Sequence, residues 1–423
     1  MKIDLTDTTS SKINASLMEA RRASGSTAAG MVLTLVIVTD EGSAYDALKA
    51  ANDASREHPS RTLAVIKRAG RSPRARAETR LDAEILVGTD AGSGETVVLR
   101  MHGELASHAQ SVVLPLLLPD APVVVWWPEN SPAHPAQDPL GSIAQRRITD
   151  AVTAESPVGQ LAQRAQSYTP GDTDLAWTRI TGWRSMLAAA LDQRPATILS
   201  AVVEGESYNP SVELLGLWLH NRLHVPVERV VTGGPGITAV HLRTKDGDIT
   251  LDRPDGLMGT LSMPGSPDRQ VALKRRETSE LIAEELRRLD PDDIYASAVR
   301  TPVERLREPV NAETAAAGKV AQAVSEAAVA APVQVTAKVP AAEASVTEAP
   351  VTEAPAAEVP APEAPAGKPA DKKAGAAKKA PAKAPAKAPA KAPAKAPAKA
   401  SGKASTKAPA KPAAKRTTKR SGS

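Results

Sequence analysis

Between residues 381 and 399 the chain repeats Pro-Ala-Lys-Ala, and from 340 to 365 Glu recurs at every fifth position among Ala, Pro and Val. Regular Pro removes helix donors and clashes with the preceding turn, and nothing in these stretches is large enough to pack a core. Everything beyond about Ala312 therefore reads as a disordered, extended, polyproline-II-rich tail. A fold has to be built from the roughly 300 residues before it, enough for one large or two ordinary domains.

Charge divides the chain at the same place. The formal net charge is +5, but residues 1–311 carry −6, residues 312–367 carry −5 and residues 368–423 carry +16. The body is mildly acidic and has no nucleic-acid footprint. The basic tail is expected to bind nucleic acid weakly, without sequence preference and in a salt-sensitive way. Cys and Phe are absent, and there are five Trp and four Tyr. The core must come from Leu, Val, Ile and Ala. Disulfides, thiolate metal sites, Cys nucleophiles and thiol control of this chain are excluded. Residues 1–22 carry acids and no apolar h-region, so they are not a signal peptide. No stretch approaches the ~20 apolar residues of a membrane span. The chain reads as cytoplasmic, with no membrane partner.

Periodicity organises the body. A helix is predicted over 10–23, capped by Ser10 or Ser11, with Ile13, Leu17 and Ala20 on one face. Strands are predicted over 31–40, 62–66, 81–88 and 95–101, the last two joined by a turn at 90–94. Helices are predicted over 42–57 and 103–118, then a strand over 121–128, a Pro-rich loop over 128–139 and helical stretches over 141–166. Strands alternating with helices imply a largely parallel sheet covered on both faces. A second unit starts near the turn at 169–172. It has a helix capped by Asp172 or Asp174, with Ile180, Trp183, Leu187 and Leu191 inward. A strand follows over 197–205, and Asn209-Pro210 starts a further helix. An antiparallel meander over 226–274 precedes a last helix over 277–289, which buries Leu281, Ile282, Leu286 and Leu289 and pairs Glu284 with Arg288 outside. The fold class is α/β in two units: 1–168, a mostly parallel sheet with helices, and 169–306, a mixed or antiparallel sheet with helices. An acidic linker over 307–367 and the basic tail over 368–423 follow.

No catalytic constellation stands out. His220 and His224 have metal-pair spacing, but no third ligand completes a site, so no metal and no cofactor are expected. Residues 232–236 are Gly-rich without the Lys-Ser/Thr of a phosphate loop and read as a hairpin turn. Asp290, Asp292 and Asp293 end one helix and cap the next. Trp126-Trp127 lies at a strand end, where open α/β sheets bind ligands. Both Trp are core if the sheet is covered on both sides, and one is a surface anchor if it is not. Trp177, Arg179 and Arg184 form either an exposed aromatic-basic patch for a partner or a set of salt bridges to neighbouring acids.

Four segments in order resemble one family: Pro59-Ser-Arg61; Leu118-Pro-Asp-Ala-Pro-Val-Val-Val-Trp126-Trp127-Pro128; Asp174-Leu-Ala-Trp-Thr-Arg-Ile-Thr-Gly-Trp-Arg184; and Leu281-Ile-Ala-Glu-Glu-Leu-Arg-Arg-Leu-Asp-Pro-Asp-Asp-Ile-Tyr295. Over about 1–306 the chain resembles the OpcA family, the glucose-6-phosphate dehydrogenase assembly proteins. The resemblance implies a non-catalytic factor that promotes the active oligomer of that dehydrogenase or activates it allosterically, supporting NADPH production in the oxidative pentose phosphate pathway. It supplies no catalytic residues. Trp126, Trp127, Trp177, Arg179 and Arg184 are the candidate partner contacts, because desolvated Trp and Arg most often anchor interfaces. The rival readings are an enzyme or sensor that binds a sugar phosphate or nucleotide at a strand end, and a nucleoid-associated protein acting through its basic tail.

Overall fold

The apolar run at Leu33–Thr39 is buried at all seven positions, as expected for a strand covered on both faces. It sits near the middle of an eight-stranded sheet in a computed structural model that describes residues 1–25, 30–68, 79–88, 94–306 and 310–311. These residues fall in a unit that runs Met1–Val335. The second unit, Thr336–Ser423, lies outside the described residues, with the Glu and Lys repeats expected to be extended. Most of the turn expected at 90–94 lies outside them too.

The strands of the first sheet are β1 (Lys2–Leu5), β2 (Leu33–Thr39), β3 (Ser60–Arg68), β4 (Arg80–Val87), β5 (Glu95–His102), β6 (Val123–Trp126), β7 (Arg146–Thr149) and β8 (Asp172–Asp174). Their order is β1-β4-β5-β3-β2-β6-β7-β8. Pairing is parallel from β5 through β8, and β1 and β4 are antiparallel at the other edge. Helix Ser10–Ser24 covers one face with Ile13, Leu17 and Ala20, all fully buried. Thr9 caps it by accepting from Lys12 N at 3.3 Å, one residue before the expected Ser10. Helix Ala44–Ala54 covers the other face with Ala47, Ala50, Ala51 and Ala54, small side chains that let a helix lie close to a sheet.

The second sheet holds β9 (Ile198–Gly205), β10 (Val227–Val231), β11 (Ile237–Thr244), β12 (Gly247–Asp252), β13 (Met258–Ser262), β14 (Arg269–Ala272) and β15 (Val310–Asn311), in the order β14-β13-β12-β11-β9-β10-β15. β11 to β14 form the expected meander, but β10 runs parallel to β9. Because β9 lies between β10 and β11, residues 232–236 bridge across the end of β9 and do not form the expected hairpin. Helix Pro210–Leu223 starts as Asn209-Pro210 implies, with Asn209 Oδ1 accepting from Ser211 N at 2.9 Å.

Helix Thr278–Arg287 returns from the second sheet to the first. Its Leu281, Ile282 and Leu286 pack with Leu33, Leu35, Ile37, Trp126 and Ile148. A chain segment from the end of the body thus completes the core of its beginning. Polar groups seal the junction: the Arg146 guanidinium donates to Glu285, both buried, and Thr178 Oγ1 donates to Glu285 Oε1 at 2.6 Å.

Several sequence expectations are corrected. The helix expected over 103–118 is two 3-10 turns around a short α-helix, Ala109–Val113, because Pro115 denies it a donor. The helical stretch expected over 141–166 contains β7, whose Arg146 and Arg147 hide a buried strand behind charge. β8 replaces part of the expected turn, and the helix expected after it breaks at Ile180 into Leu175–Arg179 and Thr181–Gln193. Glu284 pairs with Arg276, not Arg288, since Arg276 reaches it from the segment preceding its own helix.

Candidate functional site

Trp126 and Trp127 project to opposite faces of β6 and its extension, as strand alternation requires. Trp126 packs among Leu35, Ile37 and Ala51, while Trp127 packs on the opposite side with Val36, Val125 and Leu140. Both are at most 2% exposed. The sheet is covered on both sides and both are core, so neither is the surface anchor that the strand-end position allowed. A Cβ on Gly141 would collide with the Pro135 carbonyl and reach within 3.1 Å of Trp127. The loop over 128–139 therefore closes onto Trp127 only because residue 141 is Gly.

Asp174 to Arg184 form a dense polar network. Asp174 ends β8 and caps helix Leu175–Arg179, accepting from Ala176 N at 2.9 Å, Ala151 N at 3.0 Å and Thr149 Oγ1 at 2.6 Å. Burial pushes its carboxyl up, and the neighbouring Asp150 adds to the effect against these three donors. Arg179 answers Asp150 with two hydrogen bonds of 2.7 Å. Trp177 is buried; its indole N–H donates to Asp292 Oδ2 at 2.8 Å, and its ring lies under the Arg184 guanidinium at 3.7 Å. Arg184 is half-buried and donates to Thr181 Oγ1 at 3.0 Å. The expected exposed aromatic-basic patch is thus largely an interior network: Trp177 is sealed by Asp292 and Tyr295, Arg179 is partly exposed but tied to Asp150, and Arg184 presents an edge without an ion-pair partner among the described residues. The structure brings Trp177, Arg179 and Arg184 into one neighbourhood, whereas Trp127 belongs to a different core cluster.

Two crevices open at carboxyl ends of parallel strands, the usual ligand position in α/β sheets. One, of about 320 Å³, lies at the ends of β2, β3 and β6, where the strand order reverses, and is lined by Asp40, Lys67, Trp127, Glu129 and Asp138. Two of its acids serve turns: Asp40 accepts from Ser43 N at 2.9 Å and Asp138 from Leu140 N at 2.9 Å. The other, of about 550 Å³, lies at the ends of β9 and β10 and is lined by Glu206, Tyr208, Glu213, Arg229 and Glu304. Glu213 pairs with Arg229 there. Acids outnumber bases in both, which disfavours a phosphorylated or nucleotide ligand. Neither crevice follows from a motif; parallel strand order is the only sequence signal for them.

His220 Nδ1 lies 3.2 Å from the Val225 carbonyl, and His224 adopts φ 55 at the helix C-terminus. Among the described residues no group of three or more His, Cys, Asp or Glu is placed to hold a metal ion. No helix among them is long and apolar enough to cross a membrane.

Residues 51–166 match the family model described as the glucose-6-phosphate dehydrogenase subunit N-terminal domain. Residues 170–299 match its C-terminal counterpart. No curated protein sequence matches. Similar solved structures include a 3-ketoreductase from Actinomadura kijaniata in complex with NADP and TDP-benzene, at 11% identity and a TM-score of 0.39 over 66% of this chain and 99% of that one. An oxidoreductase from Sinorhizobium meliloti has 11% identity and a TM-score of 0.34 over 65% and 96%. An NAD binding oxidoreductase from Klebsiella pneumoniae has 9% and 0.34 over 65% and 95%. At these values the likeness carries no argument about what this chain binds or does.

Proposed function

The chain belongs to the OpcA family of glucose-6-phosphate dehydrogenase subunits, and on that premise we propose that its body is a non-catalytic assembly factor and allosteric activator of that dehydrogenase. The observation that carries this reading is the succession of both family domains, 51–166 and 170–299, along one body. In the cell the protein would act in the cytoplasm, supporting NADPH production in the oxidative pentose phosphate pathway. An activator works by binding the active conformation or oligomer better than the inactive one, and only that difference in affinity moves the balance.

The five residues singled out from the sequence take a supporting part in this reading. Trp126, Trp127 and Trp177 are too buried to touch a partner, and Arg179 is held by Asp150. They stiffen the surface a partner would meet, and Arg184 is the member with side chain to offer. The basic tail adds weak, salt-sensitive contact with nucleic acid. The test is a mixture of the two purified proteins in which NADPH production is followed against added body. A saturable rise is expected, and a flat response removes the proposal.

A second reading, a small-molecule site in the crevice beside β9 and β10, is favoured by its volume, which falls within the ~300–1,000 Å³ of ligand pockets. The same mixture distinguishes it, since a sensor of that kind leaves dehydrogenase activity unchanged.

A further inference from the structure

Arg253 follows the end of β12 and is 5% exposed. Its Nη1 donates to the Leu273 carbonyl at 2.8 Å and its Nη2 to the Ile237 carbonyl at 2.9 Å. Its guanidinium lies 5.0 Å over the Trp183 ring, and its Nε has no hydrogen-bond partner. Among the described residues no carboxylate comes within ion-pair distance of it. A buried cation with no ion-pair partner, answered only from a distance by the exposed Asp255, is a costly arrangement in a protein interior. The guanidinium forms part of the wall of a pocket of about 80 Å³ that Arg179, Arg275, Arg276 and Asn209 also line.

The charges around this pocket do not cancel. Arg179 is answered by Asp150 and Arg276 by Glu284. Arg275 is exposed, and no acid among the described residues lies within ion-pair distance of it; Asp255 is occupied by the Leu257 and Met258 amides. Arg253 and Arg275 thus carry two positive charges with no ion-pair partner among the described residues, and the exposed Asp255 offsets them only in part, from beyond ion-pair distance. Asn209 is the cap of the 14-residue helix Pro210–Leu223, so the positive end of that helix dipole opens on the same space. Burial depresses the basicity of Arg253 and Arg275 depresses it further, with Asp255 opposing them only in part, a conflict that a bound anion would relieve. Size narrows the ligand. One water needs about 10–15 Å³, so the pocket takes a group of several heavy atoms. Pockets for drug-sized ligands begin near 300 Å³, so a whole nucleotide does not fit.

We propose that this pocket binds a phosphate-class dianion, either inorganic phosphate or the phosphoryl head of a monoester whose organic part projects past Arg275. Arg253 supplies the buried charge and Arg275 the exposed one, in the planar donor geometry that suits phosphate oxygens. The acidic strand-end crevices are thereby distinguished from a pocket whose described lining carries more positive than negative charge. The proposal does not rest on the dehydrogenase reading, and its test uses this protein alone.

The full chain is titrated calorimetrically, and its thermal midpoint is followed, with inorganic phosphate and with phenyl phosphate at constant ionic strength, sodium chloride being the control. Because the tail also attracts phosphate, the comparison is with Arg275→Ala, which removes an exposed side chain of the body and leaves the tail intact. Saturable binding of one equivalent that weakens at least 10-fold in Arg275→Ala is expected. Tighter binding of phenyl phosphate names a monoester as the source, and equal or tighter binding of inorganic phosphate names the free ion. Arg253→Met removes the buried charge and should abolish binding; should it fail to fold, Arg275→Ala decides. Heats and midpoints that chloride reproduces, or that Arg275→Ala leaves unchanged, overturn the proposal.

Discussion

Trp177 donates its indole N–H to Asp292, 115 residues later, at 2.8 Å. The other carboxylate oxygen, Oδ1, accepts from Ile294 N and Tyr295 N at 2.9 Å each, capping helix Asp293–Arg300. One carboxylate therefore both starts the last helix and satisfies a buried indole, while the Tyr295 ring lies 5.7 Å from the Trp177 ring. Asn caps a helix as well as Asp does but has a single acceptor oxygen. Asp292→Asn should therefore lose only the indole partner, about 1–3 kcal/mol. Asp292→Ala should also lose the cap, about 1 kcal/mol more. Denaturant unfolding of the two variants should rank them in that order.

Arg179→Ala should weaken the fold itself. It leaves Asp150 buried beside Asp174 without its cation, and breaking such a pair from one side costs about 3–5 kcal/mol, toward the lower end here because a quarter of the Arg179 side chain is exposed. Arg184→Ala removes a stacked, half-buried cation and should cost about 1 kcal/mol. The second variant is thus the cleaner probe of partner binding, and thermal melts of both check the contrast.

Helix Thr278–Arg287 is started by a reciprocal pair of Glu277 and Glu280. The ion-paired hydrogen bond from Lys274 at 2.9 Å and the bond from Glu277 N hold the Glu280 carboxyl below its usual range. A carboxyl depressed in the folded state binds fewer protons there than in the unfolded chain. Its contribution is present above the ordinary pKa near 4.5 and lost as the pH falls through the folded value. Glu280→Ala should cost about 0.5–2 kcal/mol at neutral pH, and the cost should shrink as the pH falls through the folded value, below the ordinary 4.5. Unfolding curves of the two proteins across an acid pH series measure the difference.

A chain ending at residue 168 should not fold cooperatively. The unit proposed over 1–168 lacks helix Thr278–Arg287, whose Leu281 and Ile282 are fully buried against Trp126 and Leu35. Without it that face of the sheet is open to water. The fragment should bind a hydrophobic dye and show no sharp thermal transition, and adding back residues 170–311 should restore one.

Periodicity made the large elements legible. The all-apolar Leu33–Thr39 strand, the Ile13, Leu17 and Ala20 stripe, and the Asn209-Pro210 helix start all follow from local pattern. β7 did not, because its Arg146 and Arg147 are buried by partners far away in sequence, Glu285 and Asp172. Burial of Trp126 and Trp127 was one of two open readings, since alternation gives the faces but not what covers them. The arginine pocket had no local signal: Arg179, Arg253 and Arg275 lie in separate segments and meet only through the topology of the second sheet.

Purified glucose-6-phosphate dehydrogenase from the same cell is to be mixed with this protein ending at Asn311, which keeps β15 paired to β10. NADPH production is followed as the second protein is added, and the mixture is sized. A complex should form, with a rise in activity that saturates and that shrinks when the dehydrogenase is concentrated enough to assemble alone, because assembly follows mass action. Activity that stays flat through a large molar excess, with no complex on sizing, would rule out an assembly factor.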